Sequence, residues 1–259
     1  MLLSFSDIGA FLGGFLWPLI RVSAFLIASP VFTTRGVPAQ ARLVLAAAIT
    51  VCLLPVVGDI PAVDPFTGQG FLIVVQQFIV GATLGFALRL VFAAVVTAGQ
   101  VIALGMGLGF ASMVDPSNGL QVPVVSMFYM ILGTLLFLAF DGHLVAIQVL
   151  AESFTIIPVG TEGLLIDSFW DLVMWGSWMF AGAVLIALPA ITAIMVVNIG
   201  FGVMTRAAPQ LNIFAVGFPI IMTVGFALMF ITVPNLQPQF EQLTEGALEL
   251  MRGMLQKTV

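Results

Sequence analysis

The chain has 259 residues, of which 61% are apolar and only 7% charged, with 7 basic and 12 acidic side chains. Soluble domains carry roughly 25% charged residues, so this composition excludes a soluble protein and indicates an integral membrane protein. The net charge of −5 excludes a nucleic-acid-binding protein, because such proteins need a basic face to displace counterions from phosphates. Cys52 is the only cysteine, which excludes an intrachain disulfide and a cysteine-based metal cluster.

Six apolar segments are predicted to be membrane helices, because about 20 helical residues cross a hydrocarbon core of ~30 Å. They cover residues 8–31, 43–57, 71–98, 124–140, 172–203 and 213–234. The first segment has no basic residue before Arg21, so we expect a retained span rather than a cleavable signal peptide. We expect Pro189 to break the fifth segment.

Two further apolar stretches, 100–113 and 144–157, are each compatible with a buried helix, a re-entrant segment or a helix extension. The last 25 residues are predicted to form an amphipathic helix that begins after Pro238, since apolar and acidic side chains alternate there with helical spacing. The predicted fold is therefore an all-α integral membrane protein with about six long apolar helices plus an amphipathic C-terminal helix. Residues 1–259 are predicted to form a single membrane domain.

Arginines in the connections predict the orientation. Arg35 and Arg42 flank the first connection and Arg206 lies in the fifth. Because short cytoplasmic loops collect Lys and Arg, we expect both of these connections to be cytoplasmic and both termini to be external.

The sequence does not favour an enzyme. His143 is the only histidine, and most acidic residues lie in connections rather than in pairs inside the spans. The chain has no Gly-x-Ser-x-Gly elbow and no His-Glu-x-x-His pair. We therefore expect no catalytic residue, no cofactor and no metal site, and we interpret His143 as a hydrogen-bonded loop residue near the membrane interface.

Two arginines lie inside apolar segments, where a guanidinium costs about 2.5 to 3.5 kcal/mol and must face protein or water. For Arg21, a pore-lining or subunit-contact role and an intramolecular ion pair or snorkelling side chain are equally favoured. Arg89 follows Gly81 and Gly85 in steps of four, so the three are predicted to share one helix face. Such a face favours close helix packing, and Arg89 is predicted to contact a neighbouring subunit.

Residues 107–121 are mostly small, glycine or polar residues, and they lie between two apolar segments. Glycines at 105, 107 and 109 precede a strong turn signal at 115–119. A simple exposed turn accounts for 115–119 but not for the flexible, apolar residues before it. Irregular backbone at membrane depth requires a protein or water-filled environment. The segment is predicted to be a pliable loop between two spans.

The order of residues in three regions carries a resemblance. The regions are Arg21 with Ser29-Pro30, Val37-Pro38 and Arg42; Phe137-Leu138-Ala139 before Asp141-Gly142-His143; and RAAPQLNIFAVGFP at 206–219. Together they resemble the FliR family of export-gate proteins over nearly the whole chain. The Asp-Gly-His sequence favours a flagellar member. The chain departs from the family pattern after Gly-Phe-Pro, where a basic residue is often found and Ile220-Ile221-Met222 stands here.

The resemblance implies a role in type III protein export. A member of this family assembles with several copies of FliP and of FliQ, is joined by FlhB, lies near FlhA, and lets unfolded flagellar proteins leave the cytoplasm. It also implies FliP-like helices in 1–157, with a plug loop near 105–123, and a FliQ-like hairpin with the tail in 172–259. The location that the resemblance implies is the lipid bilayer of the bacterial inner membrane, at the flagellar basal body.

The residue patterns and the resemblance together assign roles to residues. The predicted plug and its hinge comprise Gly105, Gly107, Gly109, Phe110, Met113, Val114, Asp115 and Gly119. The predicted assembly contacts comprise Arg21, Gly81, Gly85, Arg89, Arg206, Pro209, Gln210, Asn212, Gly217 and Pro219. The alternative function is a self-sufficient channel or transporter for small solutes, which would act without foreign membrane subunits.

Overall fold

The computed structural model describes residues 5–33, 37–108, 123–207 and 213–257, with side chains for all of these except 5–12 and 213–216. All regular structure in these ranges is helical. The helices are α1 (Phe5–Ala28), α2 (Ala39–Leu53), α3 (Gly68–Gly105), α4 (Val124–Ala139), α5 (Gly142–Ile156), α6 (Ile166–Ala207) and α7 (Ile213–Gln256). The predicted all-α membrane fold with long apolar helices is confirmed.

Three helices in the described part of the chain are long and apolar enough to cross a membrane. They are α3, α6 and, from Gly217 onwards, α7, and the number rises to four if α4 and α5 form one bent span. With 38, 42 and 44 residues, α3, α6 and α7 measure about 57 to 66 Å, roughly twice a hydrocarbon core of ~30 Å. The 15 residues of α2 reach only about 22 Å.

Two predicted helix breaks are wrong. Pro189 lies inside α6, which continues without interruption. The amphipathic tail does not begin a new helix after Pro238, because α7 runs through Pro219, Pro234 and Pro238. A proline removes one backbone hydrogen bond, whereas a full break in an apolar environment would leave several backbone groups unsatisfied. The continuous helix is therefore the less costly arrangement.

The two apolar stretches that the sequence left ambiguous, 100–113 and 144–157, differ in how they fold. Residues 100–105 extend α3, and residues 144–156 belong to a separate helix, α5. The axes of α4 and α5 differ by 68°. Asp141 lies at this bend with a φ of 55°, a left-handed conformation that aspartate tolerates better than most residues.

The chain folds into two compact units, each assembled from segments that are distant in the sequence. The first comprises Met1–Leu90, Asp141–Gly176 and Thr244–Val259. Its core contains large side chains from α1, α5 and the end of α7, including Trp17, Phe25, Phe154 and Met251. The end of α7 is fixed here because the Ser168 hydroxyl donates a 3.1 Å hydrogen bond to the Met254 carbonyl.

The second unit comprises Val91–Phe140 and Ser177–Leu243. In its core the Phe92 ring meets the rings of Phe137 and Phe240 edge to face, with centroids 5.6 and 5.7 Å apart. Its parts of α6 and α7 are antiparallel. Gly182 lies so close to Leu243 that an added Cβ would be 2.7 Å from the leucine side chain, whereas Asn198 of α6 and Gly225 of α7 both contact the end of α3.

Candidate functional site

The predicted loop leaves α3 at a well-defined helix stop. The N–H of Gly107 donates to the carbonyl of Leu104 and the N–H of Leu108 donates to that of Ala103, both at 3.0 Å. These bonds form a Schellman motif, which requires a left-handed residue after the helix. Gly107 fills that position with a φ of 79°. Glycine is therefore the residue that this position requires for α3 to end here.

This end of α3 is held within the second unit by α6 and α7. A Cβ on Gly107 would lie 3.4 Å from the ring of Phe218, and one on Gly225 would lie 2.6 Å from the side chain of Met106. The Asn198 side-chain amide donates a 3.5 Å hydrogen bond to the carbonyl of Gly105. The backbone just before the loop is thus packed on two sides.

The chain enters α4 at a second close contact in the same unit. A Cβ on Gly99 would lie 2.6 Å from the Cα of Ser126, so the backbones of α3 and α4 touch there. Val125 is buried beside it. Both ends of the segment 109–122 are consequently anchored on packed helix ends.

Most of the predicted plug lies outside the described residues. Only Gly105, the last residue of α3, and Gly107, its stop, have described positions. The others are Gly109, Phe110, Met113, Val114, Asp115 and Gly119, which all fall in the undescribed segment 109–122.

Arg21 is completely buried in the first unit. Its Nε donates to Gln77 Oε1 at 2.8 Å, and Nη1 donates to the Ser153 carbonyl at 2.7 Å and to the Ser153 hydroxyl at 3.2 Å. Nη2 donates to the Ile157 carbonyl at 2.9 Å. The guanidinium carbon lies 4.3 Å from the centroid of the Phe154 ring. Each interaction is intramolecular.

All four acceptors of Arg21 are uncharged, so the intramolecular ion pair that was one of the alternatives from the sequence is replaced by another form of stabilisation. The carbonyl of Ser153 lies in the last turn of α5 and that of Ile157 directly follows the helix, at the end where the helix dipole is negative. The aromatic face of Phe154 adds a cation–π attraction. Arg21 thereby joins α1, α3 and α5. Gln77 was not predicted from the sequence, although its position four residues before Gly81 places it on nearly the same face of α3.

Gly81 and Gly85 allow the backbone of α1 to lie in direct contact with α3. A Cβ on Gly81 would collide with the carbonyl oxygen of Arg21, and one on Gly85 would lie 2.5 Å from that of Phe25. The predicted close helix packing is confirmed and is intrachain. Arg89, one turn after Gly85, is exposed whereas both glycines are buried, and its contact with a neighbouring subunit stays a prediction.

The predicted contacts around the fifth connection are only partly described. Arg206 is exposed in the last turn of α6. Gly217 is buried and Pro219 is exposed, both near the start of α7. The remaining three, Pro209, Gln210 and Asn212, lie in the undescribed segment 208–212.

The described residues offer no arrangement for metal binding, since no three of their His, Cys, Asp and Glu side chains cluster closely enough to hold an ion. His143 lies in the first turn of α5. It was expected in a loop, and the structure places it in a helix. Its Nδ1 is buried and meets no hydrogen-bond partner among the described residues, so the expected hydrogen bond is not formed at that nitrogen.

Comparison with known proteins identifies the family. The model of the family described as bacterial export proteins, family 1, matches residues 12–247. The chain is 39% identical to the flagellar biosynthetic protein FliR of Escherichia coli K12, over 93% of this chain and 92% of that protein. It is 37% identical to FliR of Pectobacterium carotovorum, with 93% and 92% covered, and 27% identical to FliR of Bacillus subtilis, with 93% and 94% covered. The chain therefore belongs to the FliR family of bacterial export proteins.

Proposed function

We propose that this chain is a subunit of the flagellar type III export gate and that its segment 109–122 plugs the export path. It assembles with several copies of FliP and of FliQ, is joined by FlhB and lies near FlhA, in the bacterial inner membrane at the flagellar basal body. Its termini are periplasmic. The relatives named above carry the name flagellar biosynthetic protein, which favours flagellar proteins as the exported cargo.

The observation that carries the plug proposal is the anchoring of the loop. A plug needs ends that stay in place and a middle that moves aside and excludes water when it returns. The Schellman stop at Gly107 and the contact of Gly99 with Ser126 supply the fixed ends. Between them the sequence offers apolar side chains for sealing, at Phe110, Met113 and Val114.

Exposed apolar surface supports assembly with other membrane proteins. In the most apolar 18-residue stretch of each helix, 61% is buried in α3, compared with 33% in α6 and 17% in α7. Large side chains such as Trp170, Trp178 and Phe230 are more than 60% exposed. We propose that FliP and FliQ cover part of this surface, with residues 1–157 serving as the FliP-like part and 172–259 as the FliQ-like part.

Native mass spectrometry of the tagged protein from its own operon tests the assembly. We expect one copy of this chain together with several copies of two smaller membrane proteins. A lone or homo-oligomeric species that conducts ions by itself would instead support the self-sufficient channel.

Ion leakage through the assembled complex tests the plug. A variant with Phe110, Met113 and Val114 all replaced by serine should leak more than wild type while keeping the same subunit composition. The matched control is Phe66→Ser, because Phe66 is 97% exposed in the connection before α3 and its loss removes a comparable apolar side chain. Unchanged leakage after deletion of 110–119 in an intact complex would refute the plug.

The fifth connection is proposed to cap the α6–α7 hairpin near the cytoplasmic entrance, with Asn212 capping α7. An Arg206→Ala, Gln210→Ala double variant should lower complex yield and motility. Normal values of both would contradict this role.

A further inference from the structure

A cleft of about 170 Å³ lies between α1 and α2, away from the plug loop in the sequence. Leu26 and Ile27 of α1 form one wall, and Leu43 and Ala46 of α2 form the other. Two polar side chains also line it, Ser23 and Arg42. The cleft therefore combines an apolar interior with one positive charge and one hydroxyl.

Arg42 is incompletely satisfied in this position. Its Nε is buried, yet it meets no hydrogen-bond acceptor among the residues that the structure describes. A buried donor without an acceptor costs about 1 to 3 kcal/mol, and more when the group is charged. An anionic acceptor in the cleft would remove this cost.

We propose that this cleft binds an anionic phospholipid, with its phosphate on Arg42 and Ser23 and the start of an acyl chain on Ile27 and Leu43. Basic pockets between membrane helices bind anionic lipid headgroups in this way. The guanidinium presents several donors in a plane that matches the phosphate oxygens.

The surface around the cleft favours a lipid rather than a soluble anion. Leu43 is 62% exposed, and Val44 and Val51 are 68% and 56% exposed on the same short helix. An apolar surface beside a phosphate site suits a molecule that has both a charged headgroup and a hydrocarbon chain. Inorganic phosphate would use only the arginine and the serine.

Arg89 provides a matched control. It is an exposed arginine of α3 in the same unit, and it is not among the residues that line the cleft. Arg42→Gln and Arg89→Gln each remove one positive charge from the chain. A general electrostatic attraction for anionic lipid would be weakened equally by both, whereas a site at Arg42 would be weakened by only one.

The test is a titration of the detergent-purified native complex with phosphatidylglycerol, or with phosphatidylcholine, followed by native mass spectrometry. We expect preferential binding of phosphatidylglycerol, with an about fivefold rise in Kd for Arg42→Gln, as one arginine contributes about 1 kcal/mol to lipid binding. Arg89→Gln should leave this Kd unchanged. Arg42→Lys keeps the charge, so it should bind phosphatidylglycerol more tightly than Arg42→Gln. If the glutamine variant yields no complex, the Kd of Arg42→Lys is compared with that of wild type instead.

Several outcomes would overturn the proposal. One is an equal loss of lipid affinity in both glutamine variants, and another is no loss in either. Displacement of the lipid by an equal concentration of inorganic phosphate would assign the cleft to a soluble anion. Loss of a neighbouring subunit from Arg42→Gln, with lipid binding unchanged, would assign Arg42 to an acidic group of that subunit.

Discussion

Replacement of Arg21 by methionine should destabilise the first unit strongly. Methionine keeps an unbranched apolar side chain but donates no hydrogen bond. Gln77 Oε1 and the carbonyls of Ser153 and Ile157, which now accept bonds of 2.7 to 2.9 Å, would lose their charged donor. These groups join three helices, so their loss affects α1, α3 and α5 together.

The expected magnitude follows from two opposing effects. Two of these acceptors, Gln77 Oε1 and the Ile157 carbonyl, would be left without a donor at about 1 to 3 kcal/mol each, or roughly 2 to 6 kcal/mol together. The Ser153 carbonyl keeps the N–H of Ile157 at 3.0 Å. Removal of the buried charge recovers part of this cost as desolvation energy. We expect a net loss of about 2 kcal/mol, equivalent to a fall of about 4 to 8 °C in Tm for a chain of this size. Arg21→Lys should fall between wild type and Arg21→Met, because one ammonium cannot reach all three directions.

Thermal unfolding of the purified protein, followed by tryptophan fluorescence at one fixed heating rate, measures this effect. Trp17 is buried one turn before Arg21 and reports on the same packing. The matched control is Arg89→Met, an exposed arginine of α3, which should change Tm by no more than about 2 °C. A similar Tm for Arg21→Met and wild type would refute the reasoning, as would an equal fall in both variants.

Three further predictions concern single contacts. Gly81→Ala should lower Tm, because its Cβ would collide with the α1 backbone, whereas Gly176→Ala, which meets nothing within 4 Å, should be neutral or stabilising. Gly107→Ala should cost about 1 to 2 kcal/mol at a left-handed position, while Gly105→Ala should not; equal effects in the two variants would contradict the helix-stop role. The 3.2 Å ion pair of Arg252 with Glu152 is partly exposed, so a double-mutant cycle should give less than about 1 kcal/mol, decreasing with salt.

The apolar helices follow from the sequence because they depend on local composition and on the spacing of apolar residues. The partners of Arg21 do not, since they lie 56 to 136 residues away along the chain. The sequence established only that a guanidinium in an apolar segment must face protein or water. Which of these it faces is decided by tertiary packing.

The surroundings of Arg89 show why a sequence pattern does not identify a packing partner. Residues advance by about 100° each around a helix, so steps of four keep Gly81, Gly85 and Arg89 within about 80° of one another. Gly81 and Gly85 lie against the carbonyls of Arg21 and Phe25, whereas α1 ends at Ala28 and Arg89, one turn further along α3, is exposed. The GxxxG spacing predicted the packing of the glycines, but the length of α1 decides whether the next residue on that side is covered.

The glycines in and just after α3 have three different structural roles. These roles limit where the hinge of the predicted plug can lie. Gly81 and Gly85 admit the backbone of α1, Gly99 admits that of α4, and Gly107 ends the helix. Gly105 is still inside α3, with its carbonyl bonded to Asn198. A swinging motion that began at Gly105 would break this bond and the Schellman stop. If segment 109–122 moves as a plug, its hinge should therefore lie at Gly109 or beyond rather than at Gly105 or Gly107.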